Sequence, residues 1–98
     1  MLGYEIAGSF NKDLKLMEKR HKDIPKLRDV MRMLIQEIPL LPKHENHPLH
    51  GEYQGKWEYH VEPDWVLIYR IDDAVSNPFN LVQCKIIFYH TGSHSDLF

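Results

Sequence analysis

The sequence predicts an α+β domain: two helices covering one face of an antiparallel sheet, in the order β-α-α-β-β-β, followed by a tail. Two periodicities and the break between them carry that reading. Apolar residues recur at i, i+3, i+4, i+7, i+8 and i+11 from Leu27 to Ile38, the stripe of a core-facing helix. From Lys56 the period falls to two, in "KWEYHV" and "WVLIYRI". Between them, residues 39–55 carry three prolines and two glycines and read as loop.

The elements follow in order. "GYEIAGSF" (3–10) reads as a short strand with Tyr4 and Ile6 on one face, and Ser9 as the N-cap of the first helix, "FNKDLKLMEKRH". Phe10, Leu14, Met17 and His21 share one stripe of it; Lys12, Lys15, Lys19 and Lys22 share the opposite one. Asp23 is the expected cap of the second helix, with Pro25 in its first turn, where a missing N–H is harmless. "EPDW" is a tight turn with Pro63 in its preferred place. That turn would pair Val61 with Val66, Tyr59 with Ile68 and Trp57 with Arg70 as the helix-facing surface. Glu58, His60, Glu62, Leu67 and Tyr69 would then share the other face, the natural place for a site. Residues 72–80 read as a longer connection, 81–90 as the last strand, and "TGSHSDLF" as a tail leaving the sheet through Gly92.

A chain of 98 residues is expected to form one domain, residues 1–98, with a single modest core. Neither a secretory leader nor a membrane-spanning run is apparent, and one cysteine, Cys84, leaves no internal disulfide; it reads as a strand-filling residue in a protein of the cytoplasm. The net charge of −2 is unevenly spread. Residues 1–38 hold eight Lys/Arg against six Asp/Glu; residues 39–98 hold four against eight, with six of the seven histidines.

Those histidines fall in "HENHPLHG" (His44, His47, His50), "HVEPDW" (His60), "FYH" (His90) and "GSHSDLF" (His94). Imidazole can donate and accept a proton near neutral pH, the pairing that RNA cleavage by a 2′-hydroxyl requires. The same residues also suit solvated loops, a satisfied strand and a turn. No HxH or HExxH pair appears, which counts against a metal site. Pattern and spacing alone do not choose RNA over another substrate.

"HPLHG", "HVEPDWVLIYRI" and "TGSHSDLF", in this order after two helices, resemble the YafQ-like branch of the RelE/ParE toxin superfamily, and "NKDLKLMEKRHKD" is similar to its first helix. The resemblance spans nearly the whole chain. It implies the toxin of a bacterial toxin–antitoxin pair: an endoribonuclease that cuts messenger RNA in the ribosomal A site without a metal or cofactor, leaving a 2′,3′-cyclic phosphate. Its partners would be ribosome-bound mRNA, ribosomal RNA and an antitoxin. Carried over by motif, the catalytic residues would be His47, His60, Asp64 and His94. His60 and His94 would be the main proton-transfer pair, Asp64 would orient an imidazole, and His47 would help at the phosphate. Arg70, His90, Trp65 and Phe98 would contact RNA or phosphate, while Lys15, Lys19 and Lys22 would form a stripe docking on ribosomal RNA. The chain departs from the family in placing His90, not Arg, before "TG", and in the length of its 72–80 connection. The competing class on this fold is a gyrase-directed or purely antitoxin-binding protein, which would need none of the four catalytic residues.

Overall fold

A computed structural model describes residues 3–36, 47–49, 51–73 and 84–98. The elements are β1 (Gly3–Ile6), α1 (Gly8–Lys19), α2 (Ile24–Ile35), β2 (His47–Pro48), β3 (Trp57–Glu62), β4 (Trp65–Asp73), β5 (Cys84–Gly92) and a terminal helical turn, α3 (His94–Leu97). They build one five-stranded sheet in the order β1-β5-β4-β3-β2. The predicted α+β class stands, with one correction: the sheet is mixed, because β1 runs parallel to β5. Both helices lie between those two strands in sequence, and a crossover of that length lets the partners run in the same direction.

Both helix starts have local causes. Asp23 caps α2 as expected, its carboxylate accepting from Lys26 N at 3.2 Å, with Pro25 in the first turn. The predicted cap of α1 is displaced: Ala7 holds that position, and the Ser9 hydroxyl instead donates to Tyr89 O at 2.7 Å, tying α1 to β5. α1 also ends sooner than its sequence stripe. Arg20 is the C-cap and His21 has φ 58°, so His21 is exposed rather than apolar-facing and Lys22 lies beyond the helix. Phe10 and Met17 of α1 and Leu27, Val30 and Leu34 of α2 are buried against the sheet. Ile38 and the segment containing His44 lie outside the described residues, as do His50 and residues 74–83.

The core joins these helix residues to Tyr59, Val61, Trp65, Leu67, Tyr69, Ile86 and Phe88. This corrects the predicted register. Glu62 pairs with Trp65 around the Pro63–Asp64 turn, but His60 pairs with Val66, Tyr59 with Leu67 and Trp57 with Tyr69. Val61 is the extra residue of a β-bulge, which shifts the pairing by one and exchanges the faces of β4. Leu67 and Tyr69 therefore face the helices, and Val66 and Ile68 share the opposite face with His60 and Glu58. Glu62 also departs from its predicted place, sitting 3.5 Å from Lys26 Nζ and 3.9 Å from Lys22 Nζ on the helix side. A second bulge, at Tyr89, lies between the Ile68–His90 and Tyr69–Phe88 pairs.

Candidate active site

The site is assembled on β3 and closed by the tail. Glu58 and His60 are two residues apart on a strand, so both leave the same face. His60 Nε2 lies 2.8 Å from Glu58 Oε1. The tail brings the second imidazole: His94 Nε2 lies 3.2 Å from the same oxygen, while its Nδ1 lies 3.1 Å from Asp64 Oδ1. The His60 and His94 rings are 5.4 Å apart, inclined at 32°. One carboxylate oxygen thus serves two imidazoles, and one imidazole spans two carboxylates.

Burial sets the electrostatics. The Glu58 side chain is only 5% exposed and that of His60 14%, against 44% for His94 and 73% for Asp64. A carboxylate this buried needs charged or hydrogen-bonding partners, and the imidazoles supply them. Ionised carboxylate oxygens only accept hydrogen bonds, so His94, facing one through each ring nitrogen, is held as imidazolium. Its pKa is raised above the ordinary 6.5, first by the bond to Asp64 and then by the bond and charge of Glu58, against opposition from burial. Asp64 is lowered from 3.8, first by the His94 backbone N–H, 3.2 Å from Oδ1, and then by the ring.

Why the end of the chain stays in place is also local chemistry. Ser93 and Asp96 form a capping box: the Ser93 hydroxyl accepts from Asp96 N, and the Asp96 carboxylate accepts from Ser93 N at 2.9 Å. The same carboxylate takes a two-pronged ion pair from Arg20, at 2.6 and 3.0 Å, which holds its pKa far below the usual range. The Tyr53 hydroxyl donates to Leu97 O at 3.1 Å, and its ring meets Phe98 edge-on at 5.4 Å. At Gly92 a Cβ would come 3.1 Å from Asp96 Oδ2, so the tail folds back closely over this position and a side chain there would have to push Asp96 aside by a few tenths of an ångström.

The sequence-predicted residues divide. His60, Asp64 and His94 are brought together. His47 lies in β2 opposite Glu58 in the strand register. Phe98 is 58% exposed, with its ring 5.8 Å from His94. Arg70 shares the β4 face of Val66 and Ile68, but its guanidinium is paired with Asp72. His90 Nδ1 is 2.8 Å from Asp13 Oδ2 on α1, so its nearest charge is a carboxylate. Trp65 corrects the prediction outright. It is wholly buried in the core, its indole N–H donating to the Thr91 hydroxyl at 2.9 Å, and has no surface to offer RNA. Lys15 and Lys19 stay exposed on α1, whereas Lys22 has left their stripe for Glu62 and stands 5.9 Å over the Trp65 ring. The sequence reading underrated Glu58. Its signal was the i, i+2 spacing to His60, which any strand reading exposes. Among the described residues, the group able to hold a metal is Glu58, His60 and His94, whose ligand atoms all lie within 4.8 Å of one another.

An α+β domain of this RelE-like architecture is the fold of toxins from toxin–antitoxin pairs. The chain belongs to the YafQ family: residues 2–98 match the family model described as the bacterial toxin of a type II toxin–antitoxin system, YafQ. It is 41% identical over 95 residues to the Escherichia coli K12 mRNA interferase toxin YafQ, covering 96% of this chain and 92% of that one. The fold superposes with TM-score 0.81 and 40% identity on the crystal structure of the E. coli DinJ–YafQ toxin–antitoxin complex, over 99% of this chain and 97% of that one. A metal-bound toxin from Helicobacter pylori, 35% identical, superposes with TM-score 0.79 over the whole of both chains.

Proposed function

We propose that this toxin is a ribosome-dependent endoribonuclease that cuts mRNA in the A site by acid–base chemistry. The observation that carries the reading is the shared contact of His60 and His94 on Glu58, with Asp64 behind His94. The Glu58–His60 pair takes the proton from a 2′-hydroxyl, and the freed oxygen attacks the adjacent phosphorus. The P–O5′ bond breaks as the leaving 5′-oxygen takes the proton of the His94 imidazolium. The products are a 2′,3′-cyclic phosphate and a 5′-hydroxyl. One proton is lost to the protein and one gained from it, so the site recovers by exchange with water. Side chains suffice for every step. Because the groups are coupled, their titration belongs to the set.

Charge on the phosphate is met first by His94 itself. Arg70 and His90 add to it only by exchanging Asp72 and Asp13 for phosphate oxygens. His47, opposite Glu58 in register, is assigned to the phosphate. Phe98, exposed and edge-on to Tyr53, is assigned to stack on a base or to seal the tail. Lys15 and Lys19 form the docking stripe on ribosomal RNA; Lys22, spent on Glu62, drops out of it. An antitoxin is the second partner, and the cytoplasm, where translating ribosomes are, is the compartment.

The test is toe-printing and end-mapping on programmed ribosomes with purified toxin. Cuts within A-site codons that carry 2′,3′-cyclic ends support the reading. Growth arrest with intact messages and a DNA-damage response would replace it with a gyrase-directed toxin. The H. pylori relative is metal-bound, so a metal is a further candidate occupant of the cluster in this chain.

A further inference from the structure

The geometry points to an RNA subsite beside the acid–base cluster, in which Lys56, held over the ring of Tyr89, takes the phosphate next to the one being cut. It deepens the proposed function, on which it rests, by naming a residue for the flanking backbone.

The turn before β3 sets the lysine in place. In "GEYQGK" the Tyr53 carbonyl accepts from Lys56 N at 3.0 Å, and Gly55 stands at φ 86°, a conformation that suits glycine. Lys56 begins the alternation that puts Glu58 and His60 on the site face, so its side chain leaves the same way. Its ammonium stands 4.7 Å from the centroid of the Tyr89 ring. Tyr89 is the bulge residue of β5, beside His90, and His90 pairs with Ile68, which in turn pairs with Glu58. A bulge re-aims a side chain, and this one brings a ring across β4 to the lysine.

Net charge decides what that pair can do. Among the described residues, the other Lys and Arg side chains that the register places on this face are already matched. Arg70 is paired with Asp72, and Lys85 with Glu5 at 3.1 Å. A tyrosine ring is neutral: its face attracts the ammonium without cancelling the charge. Lys56 therefore keeps a full positive charge for an incoming phosphate, with no carboxylate to exchange.

Position says which phosphate. Two residues along a strand span about 7 Å, so Lys56 stands one step beyond Glu58 on the same face. The Tyr53 ring bridges the gap toward the tail, edge-on to His90 at 5.9 Å and to Phe98 at 5.4 Å. Cations that follow the backbone, interleaved with rings, are how proteins hold single-stranded RNA.

The test measures binding of a short single-stranded RNA with 2′-O-methyl sugars, which cannot be cut, across a salt series. Lys56→Gln should weaken binding about tenfold and lower the slope of log K against log salt by about 0.7, the loss of one phosphate contact on a single strand. Lys56→Arg should restore both. Lys85→Gln, on the same face but already paired with Glu5, should leave the slope unchanged. Tyr89→Leu should reproduce part of the Lys56→Gln loss and Tyr89→Phe none of it, because the ring is what holds the ammonium. Equal slopes in the parent and Lys56→Gln, or no measurable binding by the parent, overturn the subsite. On programmed ribosomes Lys56→Gln should raise KM with kcat little changed. A fall in kcat at unchanged KM would put Lys56 in the chemistry and overturn its flanking place. A parent that holds the probe through Lys56 but leaves messages whole keeps the RNA subsite and removes the nuclease reading instead.

Discussion

The two faces of the sheet come from the same strands and obey opposite rules. Toward the helices, Tyr59, Leu67, Tyr69, Ile86 and Phe88 interlock with Phe10, Met17 and Leu27 in a buried core. On the other face, Glu58 and His60 stand beside Val66 and Ile68, and what closes over them is a charged four-residue turn. The first face is held by area removed from water and tolerates a change of charge elsewhere. The second is held by hydrogen bonds and ion pairs that answer to pH and to single side chains. The proposed mechanism uses both: a rigid strand to fix one imidazole, and a tail to deliver the other.

The largest effects should separate the faces cleanly. His60→Gln and His94→Gln each remove a titrating group while keeping a polar side chain, and cleavage should drop by about 100-fold or more. Their melting temperatures should stay close to the parent's. Phe88→Ala, on the other face, should do the reverse. It removes a wholly buried ring and should cost about 3–5 kcal/mol of stability. The fraction that remains folded should still cut. Kinetics normalised to folded protein, beside thermal melts, checks both. Full activity in His94→Gln would remove the tail from catalysis.

How much of this was legible follows the same division. The helix stripe of Leu27, Val30 and Leu34, the Asp23 cap and the period-two strands were readable because each is a local rule. The Glu58–His60 face was readable from alternation alone. The register was not. "WVLIY" is buried on both faces, so no polar residue marks which side is which, and the Val61 bulge shifts the count at the turn itself. Trp65 sits inside the motif that carries the resemblance, yet it is core; its neighbour Asp64 reaches the His94 ring while it packs. The parallel pairing of β1 with β5 joins residues about 80 positions apart, beyond any local pattern. Asp64 and His94 met only through the resemblance, because nothing in "GSHSDLF" says where a tail will fold back.

A middle-sized effect should come from Arg20, which touches no proposed substrate atom. Its guanidinium fork holds Asp96 and through it the turn that carries His94. We expect Arg20→Gln to lower kcat about tenfold with KM little changed, since misplacing a reacting group by about an ångström can cost more than that. Arg20→Lys should restore part of the loss, as a single-pronged substitute. A purely structural Arg20 would instead lower melting temperature without shifting His94. NMR titration distinguishes the two: in Arg20→Gln the His94 pKa should relax toward 6.5.

The smallest effect, and the one that tests the comparison most sharply, is the pH dependence of the tail alone. His94 has a raised pKa, so its contribution to holding the tail is complete below 6.5 and is lost as pH rises through the raised value. Asp64 and Asp96 are lowered from 3.8, so theirs is complete above 3.8 and is lost as pH falls through their lowered values. The two conditions overlap between pH 3.8 and 6.5, where the tail should be held best. Hydrogen exchange corrected for intrinsic rate should show the His94 and Phe98 amides most protected in that window and loosening above it. The core amides of β4 and β5 should show no such limit. His94→Gln should abolish the alkaline loosening, leaving protection flat above the window. If the parent tail stays equally protected well above neutral pH, then Arg20 and Tyr53 hold it without the imidazolium, and the charged face is as indifferent to pH as the apolar one.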